Sequence, residues 1–162
     1  MTVSLRPVPP ERMPVWIQRS ADEYARDLVT LGQPVAQAQR VAEKGMRESF
    51  PADRPRPGHA VLDVLDDHSA RVGYLWIGPD DSSDPTAWWV WDVLVDEDCR
   101  GQGLGRATML AAEGYAASHG ARTLGLSVFG FNVTARRLYE SLGFGTTKVT
   151  MTKPLRPADP PG

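Results

Sequence analysis

The sequence predicts an α/β (α+β) fold in which a mixed, mostly antiparallel central sheet is flanked by helices and contains one parallel strand pair. Three observations predict it. Residues 11–31 and 34–50 carry apolar side chains at helical spacing. Three apolar runs follow, HAVLDVLD (59–66), ARVGYLWIG (70–78) and TAWWVWDVLV (86–95), with only DDHS and PDDSSDP between them, as in an antiparallel meander. A helix-like run at 103–118 then joins the third of these to TLGLSVF (123–129). Such a strand-helix-strand crossover makes its two strands parallel.

Each element has its own justification. TVSLRPV (2–8) reads as a short strand cut off by Pro9 and Pro10. Gln33-Pro34 separates the first two helices, because proline suits a helix's first turn and not its interior. In the second helix Val35, Ala38, Val41, Ala42 and Met46 predict one apolar stripe, and prolines 51, 55 and 57 end it. In 103–118, Leu104, Ala107, Ala111 and Tyr115 share a face. Asn132 is placed to cap a further helix whose apolar positions are Ala135, Leu138, Tyr139 and Leu142, and Gly143 supplies its left-handed end. GFGTTKVTMTK (143–153) is expected to return as a last strand. The proline-rich PLRPADPPG (154–162) is expected to be a flexible tail, leaving 1–153 as a single domain.

Composition narrows the function. With 18 Lys plus Arg against 20 Asp plus Glu, the net charge of −2 predicts no broad attraction to nucleic acid or to an anionic membrane. Cys99 is the only cysteine, and His59, His68 and His119 stand far apart, so neither a disulfide nor a metal site is expected. No signal-like segment opens the chain and no run approaches the ~18 apolar residues of a membrane span, so a soluble cytoplasmic protein is expected.

The densest chemical signal is DEDCRGQGLGRA (96–107), with three glycines in five positions between a strand and a helix. A Walker A loop would need Lys and then Ser or Thr after the last glycine, where Arg106-Ala107 stand. A dinucleotide fingerprint would need Gly at 106 or 108, which hold Arg106 and Thr108. Free N–H groups at a helix start still favour an anion, and the missing side chains let it approach closely.

The pattern Arg100-x-x-Gly103-x-Gly105, followed about thirty residues on by NVTARRLYESLGF (132–144), resembles the two hallmarks of the GNAT N-acetyltransferases. The resemblance is clear over 86–152 and weak over 1–85. It implies a GNAT-type sheet with the parallel pair around an acyl-CoA site, acetyl-CoA as cosubstrate, and no metal. It further implies that pyrophosphate rests on the amides of the turn, Gly101, Gln102, Gly103, Leu104, Gly105 and Arg106, with Arg100 and Arg106 as charged contacts. Pantetheine would pair like an added strand with the backbone at Leu94 and Val95. Tyr139 matches the family's acid for the departing thiolate, although it also falls on its helix's apolar stripe. Asn132 matches the asparagine that bonds the pantetheine arm, although an N-cap would also explain it.

The general base departs from pattern. Members with a glutamate on the strand before the glycine turn have it where Trp89 stands, and the ribosomal-protein acetyltransferases have theirs where Ser127 stands. Asp92 is the remaining carboxylate, because it interrupts the apolar strand VWDVLV and a buried carboxylate needs a partner or a purpose. A base, a structural ion pair and a cation-binding group are its three readings. Asp63, in VLDVL, has the same look, with solvation on an edge strand expected to explain it. Trp88, Trp89 and Trp91 cluster nearby, with 89 and 91 on the face opposite 88; some are core, and one beside a carboxylate would suit an ammonium group. The expected acceptor is a small-molecule amine. A protein N-terminus or lysine, or acyl-CoA binding without catalysis, are the alternatives, and the resemblance also admits a homodimer.

Overall fold

The computed structural model describes residues 1–155. Five strands form one sheet in sequence order: β1 (Ser4–Pro7), β2 (Ala60–Leu65), β3 (Arg71–Pro79), β4 (Ala87–Val95) and β5 (Thr123–Leu126). The first three pairings are antiparallel and β4–β5 is parallel. Helices α1 (Met13–Thr30) and α2 (Val35–Ser49) lie between β1 and β2, α3 (Leu104–Ser118) makes the crossover from β4 to β5, and α4 (Val133–Ser141) follows β5. None of these helices is long and apolar enough to cross a membrane.

Local sequence sets the helix boundaries as expected. Pro14 sits in the first turn of α1, Gly32 ends that helix at φ +97°, and Pro34 caps α2 in an extended conformation. The buried stripe of α2 is narrower than the spacing predicts. It consists of Ala38, Ala42 and Met46, while Val35 and Val41 face solvent. Alanines four apart let α1 approach α2 closely, and Trp16 of α1 fills the space between them and the sheet, edge-on to Phe50, Tyr74 and Trp76.

The sheet buries both faces. Val61, Tyr74 and Trp76 point toward α1 and α2; Leu62, Val64, Leu75, Ile77, Trp88 and Val90 point toward α3. Asp63 corrects the sequence expectation. It lies on β2, an interior strand, and is sealed at 1% exposure against the Arg12 guanidinium, whose Nη1 and Nη2 donate at 2.9 and 2.6 Å. Its explanation is a bidentate ion pair, not solvation.

Two features of β4 shape the site. The register runs from Trp76↔Asp92 to Ile77↔Val90, so Trp91 is an extra, bulged residue that bends the strand. Pairing with β5 stops at Val90↔Leu126, which leaves Trp91–Val95 without a neighbour on that side. β5 therefore ends at Leu126, three residues short of the predicted strand. Where the two strands still pair, the Trp89 ring fills the space under Gly125, and a Cβ there would come within 2.2 Å of it.

The expected last strand at 143–153 does not form. Gly143 closes α4 at φ +93°, Phe144 N donates to Tyr139 O, and every residue from Gly145 to Leu155 is exposed. Among the described residues no backbone group from 145 to 155 has a hydrogen-bond partner. A strand exists through its ladder, and this stretch has the strand pattern without the neighbour. Pro154 and Leu155 are irregular and exposed; the rest of the expected tail lies outside the described residues.

Candidate active site

The divergence of β4 from β5 opens a groove whose floor is the unpaired edge of Trp91–Val95. Leu94 packs toward α1 and α2 and Val95 toward α3, so their backbone, rather than their side chains, faces the opening. The edge leads straight into the glycine turn. After a 3₁₀ turn at Glu97–Cys99, Gly101 and Gly103 take φ of +76° and +80°, and Gly103 caps α3 without any side-chain bond. A helix start of this kind leaves its first amides unpaired and carries the positive end of the dipole. No protein atom lies within 4 Å of a Cβ built on Gly101 or Gly103. Both glycines are thus required by backbone conformation and keep the approach to the amides open.

The other turn residues divide. Gln102 is exposed, and Leu104 anchors the helix start in the α3-side core at 4% exposure. The Cβ of any residue replacing Gly105 would press on Leu138 at 3.2 Å, so Gly105 is also a contact between α3 and α4. Arg100 Nε donates to Val95 O at 3.0 Å, tying the turn to the end of β4. Arg106 reaches the other way and donates to Ser141 Oγ at 2.6 Å, joining α3 to α4. Substitution of Gly103 by alanine separates conformation from ligand binding. We expect the KM for acetyl-CoA to rise about tenfold with kcat little changed, while the positive φ costs about 1–2 kcal/mol of stability. Steady-state kinetics beside a melting curve checks this; unfolding at assay temperature would mark the glycine as a turn device alone.

Asp92 lies on the α1 side of the groove. Its Oδ2 accepts from Ser20 Oγ at 2.5 Å and from Tyr74 OH at 3.0 Å. Burial pushes its carboxyl above the usual carboxylate range, against the two hydroxyl bonds that favour the charged form. Tyr74 is pushed far up by burial and then by Asp92, so its phenol remains a donor to the carboxylate. Arg19 closes the network, its guanidinium over the Tyr74 ring at 5.4 Å and paired with Asp96 at 2.6 Å. No cation pairs directly with Asp92 among the described residues; the structural ion-pair reading falls.

His59 is another basic group on this face, its ring tilted against those of Trp76 and Trp91. Its Nδ1 accepts from Trp76 Nε1, and burial followed by Arg56 lowers its pKa to about 4. At neutral pH its ring is therefore uncharged. Trp88 points toward α3 and Trp91 toward α1 and α2, as predicted for those two. The cation over Trp91 is the protein's own Arg56, at 4.9 Å.

Across the groove stands α4. Asn132 Oδ1 accepts from Ala135 N at 3.2 Å, the N-cap of the two readings weighed from sequence. Tyr139 is half-buried against the α3-side core and edge-on to Phe144, yet its hydroxyl has no partner within the described chain and is not sealed off. Burial raises its pKa, and the Asp92 charge raises it further. The Asp92 charge is therefore near enough to act on the Tyr139 phenol. Two surface hollows of about 490 Å³ lie along α1 next to Arg19 and beside His59.

Sequence reasoning missed Ser20, Tyr74 and Arg19. Ser20 had a signal, since it falls four residues after Trp16 on the buried side of α1, where a hydroxyl needs an acceptor. At the mouth, Tyr24 of α1 stacks on Phe129 at 6.2 Å, and Phe129 on Phe131 at 5.4 Å, which carries α1 across to the β5–α4 loop.

A strand pair that splays over a helix start with open glycine amides fits the acyl-CoA site that the sequence resemblance implies. Comparison with known proteins agrees. The model of the acetyltransferase (GNAT) family matches residues 22–144. The uncharacterised N-acetyltransferase YycN of Bacillus subtilis (strain 168) is 30% identical over 96% of this chain and 100% of its own. Its crystal structure superposes with a TM-score of 0.89 over 96% and 99% of the two chains. A second B. subtilis protein, the uncharacterised N-acetyltransferase YdgE, is 26% identical over 96% of this chain and 99% of its own. A putative acetyl transferase from Pyrococcus furiosus, 20% identical, shares the fold at a TM-score of 0.68 over 94% of this chain and 99% of that one. The chain belongs to the GNAT acetyltransferase family and is an acetyltransferase enzyme.

Proposed function

We propose that the protein transfers the acetyl group of acetyl-CoA to a primary amine of a small molecule by direct attack, with residues 1–153 acting as one cytoplasmic domain. One observation carries the reading: on the stretch of β4 left unpaired by β5, the Asp92 carboxylate lies near enough for its charge to raise the Tyr139 phenol's pKa. The amine nitrogen bonds to the thioester carbonyl carbon and the carbon–sulfur bond breaks. The proton lost by nitrogen goes to Asp92, directly or through Ser20, and the Tyr139 proton goes to sulfur; exchange with solvent restores both groups. A carboxylate with a raised pKa is a stronger base once ionised, and a phenol with a raised pKa stays protonated until sulfur needs it.

Acetyl-CoA fits the groove through main-chain groups. The unpaired edge at Leu94 and Val95 suits the amides of pantetheine, and the amides of Gly101 through Arg106 suit pyrophosphate. Arg100 and Arg106 keep guanidinium nitrogens beyond those used on Val95 and Ser141, and Asn132 keeps its Nδ2 for the pantetheine arm. A small acceptor is supported by the mouth. The Tyr24–Phe129 stack spans it, and Ser127, exposed, stands where the ribosomal-protein enzymes have a glutamate. Thiol release from acetyl-CoA, measured with amino sugars, polyamines, amino acids and peptides, tests the reading. A small amine should give the highest kcat/KM; a peptide outperforming every small amine would overturn it.

A further inference from the structure

We propose that Tyr74 and Arg19 are positioning residues for the reaction, forming with Asp96 a relay through which the start of the glycine turn fixes the orientation of the Asp92 carboxylate. The proposal rests on Asp92 as the base and adds the side chains that aim it.

Strand alternation places the parts. Asp92, Leu94 and Asp96 are two apart in the chain, and all three meet the α1 side: Asp92 through Ser20, Leu94 in the α1-side core, Asp96 through Arg19. Tyr74 stands opposite Leu94 in the β3–β4 register, between the two carboxylates. Consecutive residues of α1 then bridge them, since Arg19 pairs with Asp96 at 2.6 Å and Ser20 donates to Asp92 at 2.5 Å. The main-chain edge at Leu94 and Val95 begins between these two anchors.

Tyr74 completes the path. Its ring, 2% exposed, lies edge-on to Trp16 and under the Arg19 guanidinium at 5.4 Å, while its hydroxyl donates to Asp92 Oδ2 at 3.0 Å. Two hydroxyls on one oxygen, from a strand and from a helix, hold the carboxylate in one plane, which a group receiving a proton from a bound amine requires. Arginine suits the relay because its planar fork can pair with a carboxylate and lie on a ring at once, which a lysine ammonium cannot. Asp96 offsets the guanidinium's charge, so Arg19 acts on Asp92 through the Tyr74 ring more than through its own field. Glu23 of α1 and Tyr139 of α4 also interact with the Asp92 charge, and the substitutions below leave both in place.

Steady-state kinetics across pH on full-chain variants test this. Tyr74→Phe keeps the ring and removes one donor to the charged carboxyl, so Asp92 holds its proton to higher pH. The acidic limb of kcat/KM is expected to move up and kcat to fall about tenfold, with the KM for acetyl-CoA unchanged. Arg19→Met should move the limb the same way and also raise that KM severalfold, because Asp96 loses its partner; Arg19→Lys should restore the KM and only part of the limb. In the double variant the limb should stand where Tyr74→Phe alone puts it. A wild-type limb in either single variant, or shifts that add in the double variant, would overturn the relay. Arg19 is partly exposed, so Arg19→Met and Arg19→Lys decide the matter if the buried Tyr74 substitution unfolds the protein. Asp92→Asn separates the two readings. If it keeps the acidic limb, Asp92 is not the base and the relay falls with it; if it loses the limb while Tyr74→Phe and Arg19→Met keep the wild-type one, the base stands and the relay alone is wrong.

Discussion

Asp92→Asn is expected to raise the melting temperature and to abolish most of the activity. The sign follows from burial. The folded state holds the carboxyl above its ordinary pKa, so the native protein binds more protons than the unfolded chain between the unfolded pKa, near 3.9, and the folded one. The Asp92 contribution to stability is fully present below that unfolded value and is lost as pH rises through the folded pKa. Above the folded pKa the wild type carries the cost of an ionised buried group, and asparagine removes it while its Oδ1 still accepts from Ser20 or Tyr74. At roughly 2–4 °C per kcal/mol for a domain of this size, the rise should be measurable once pH exceeds the folded pKa and should shrink as pH falls toward the unfolded value. Activity moves oppositely, because loss of a general base removes about 10²–10⁴-fold. In the wild type kcat/KM falls as pH drops through the Asp92 pKa, above the usual carboxylate range, and the variant lacks that limb. A variant that is stabilised yet turns over normally would return Asp92 to a structural role.

The two halves of this site were unequally legible in the sequence. The glycine turn and α4 were readable because each is a local pattern: positive-φ glycines before a helix, and an N-cap followed by apolar residues three and four apart. The partners of Asp92 were not. Tyr74 and Ser20 meet it only through the β3–β4 register and the packing of α1 on the sheet, across 18 and 72 residues of chain. The bulge at Trp91, which opens the groove, leaves no mark in an unbroken apolar run. Asp63 misled for a related reason. Its isolation in VLDVL was visible, but the guanidinium that pairs with it stands 51 residues earlier. At 143–153 the strand pattern was legible and the pairing was not, because a ladder belongs to two strands and sequence displays one.

Tyr139→Phe is expected to slow turnover by about 10²-fold while leaving fold and acetyl-CoA affinity in place. The ring sits against Phe144 and the α3-side core, contacts that phenylalanine reproduces. The hydroxyl has no partner among the described residues, so its removal strands no donor or acceptor, and the melting temperature should change little. Loss of kcat without loss of binding is the mark of an interaction made only as the carbon–sulfur bond breaks. The pH dependence sharpens the test. Burial and the Asp92 charge hold the phenol above its ordinary value near 10, so a wild-type decline from tyrosine ionisation lies at higher pH than that of a free tyrosine. The phenylalanine variant has no such limb. Asp92 and Tyr139 are also coupled: neutralising Asp92 lowers the tyrosine's pKa, so the Asp92→Asn variant should bring the basic limb to lower pH. Unchanged kcat in Tyr139→Phe, with equal acetyl-CoA binding by calorimetry, would assign Tyr139 to the apolar stripe of α4 and leave the thiolate to be protonated by water.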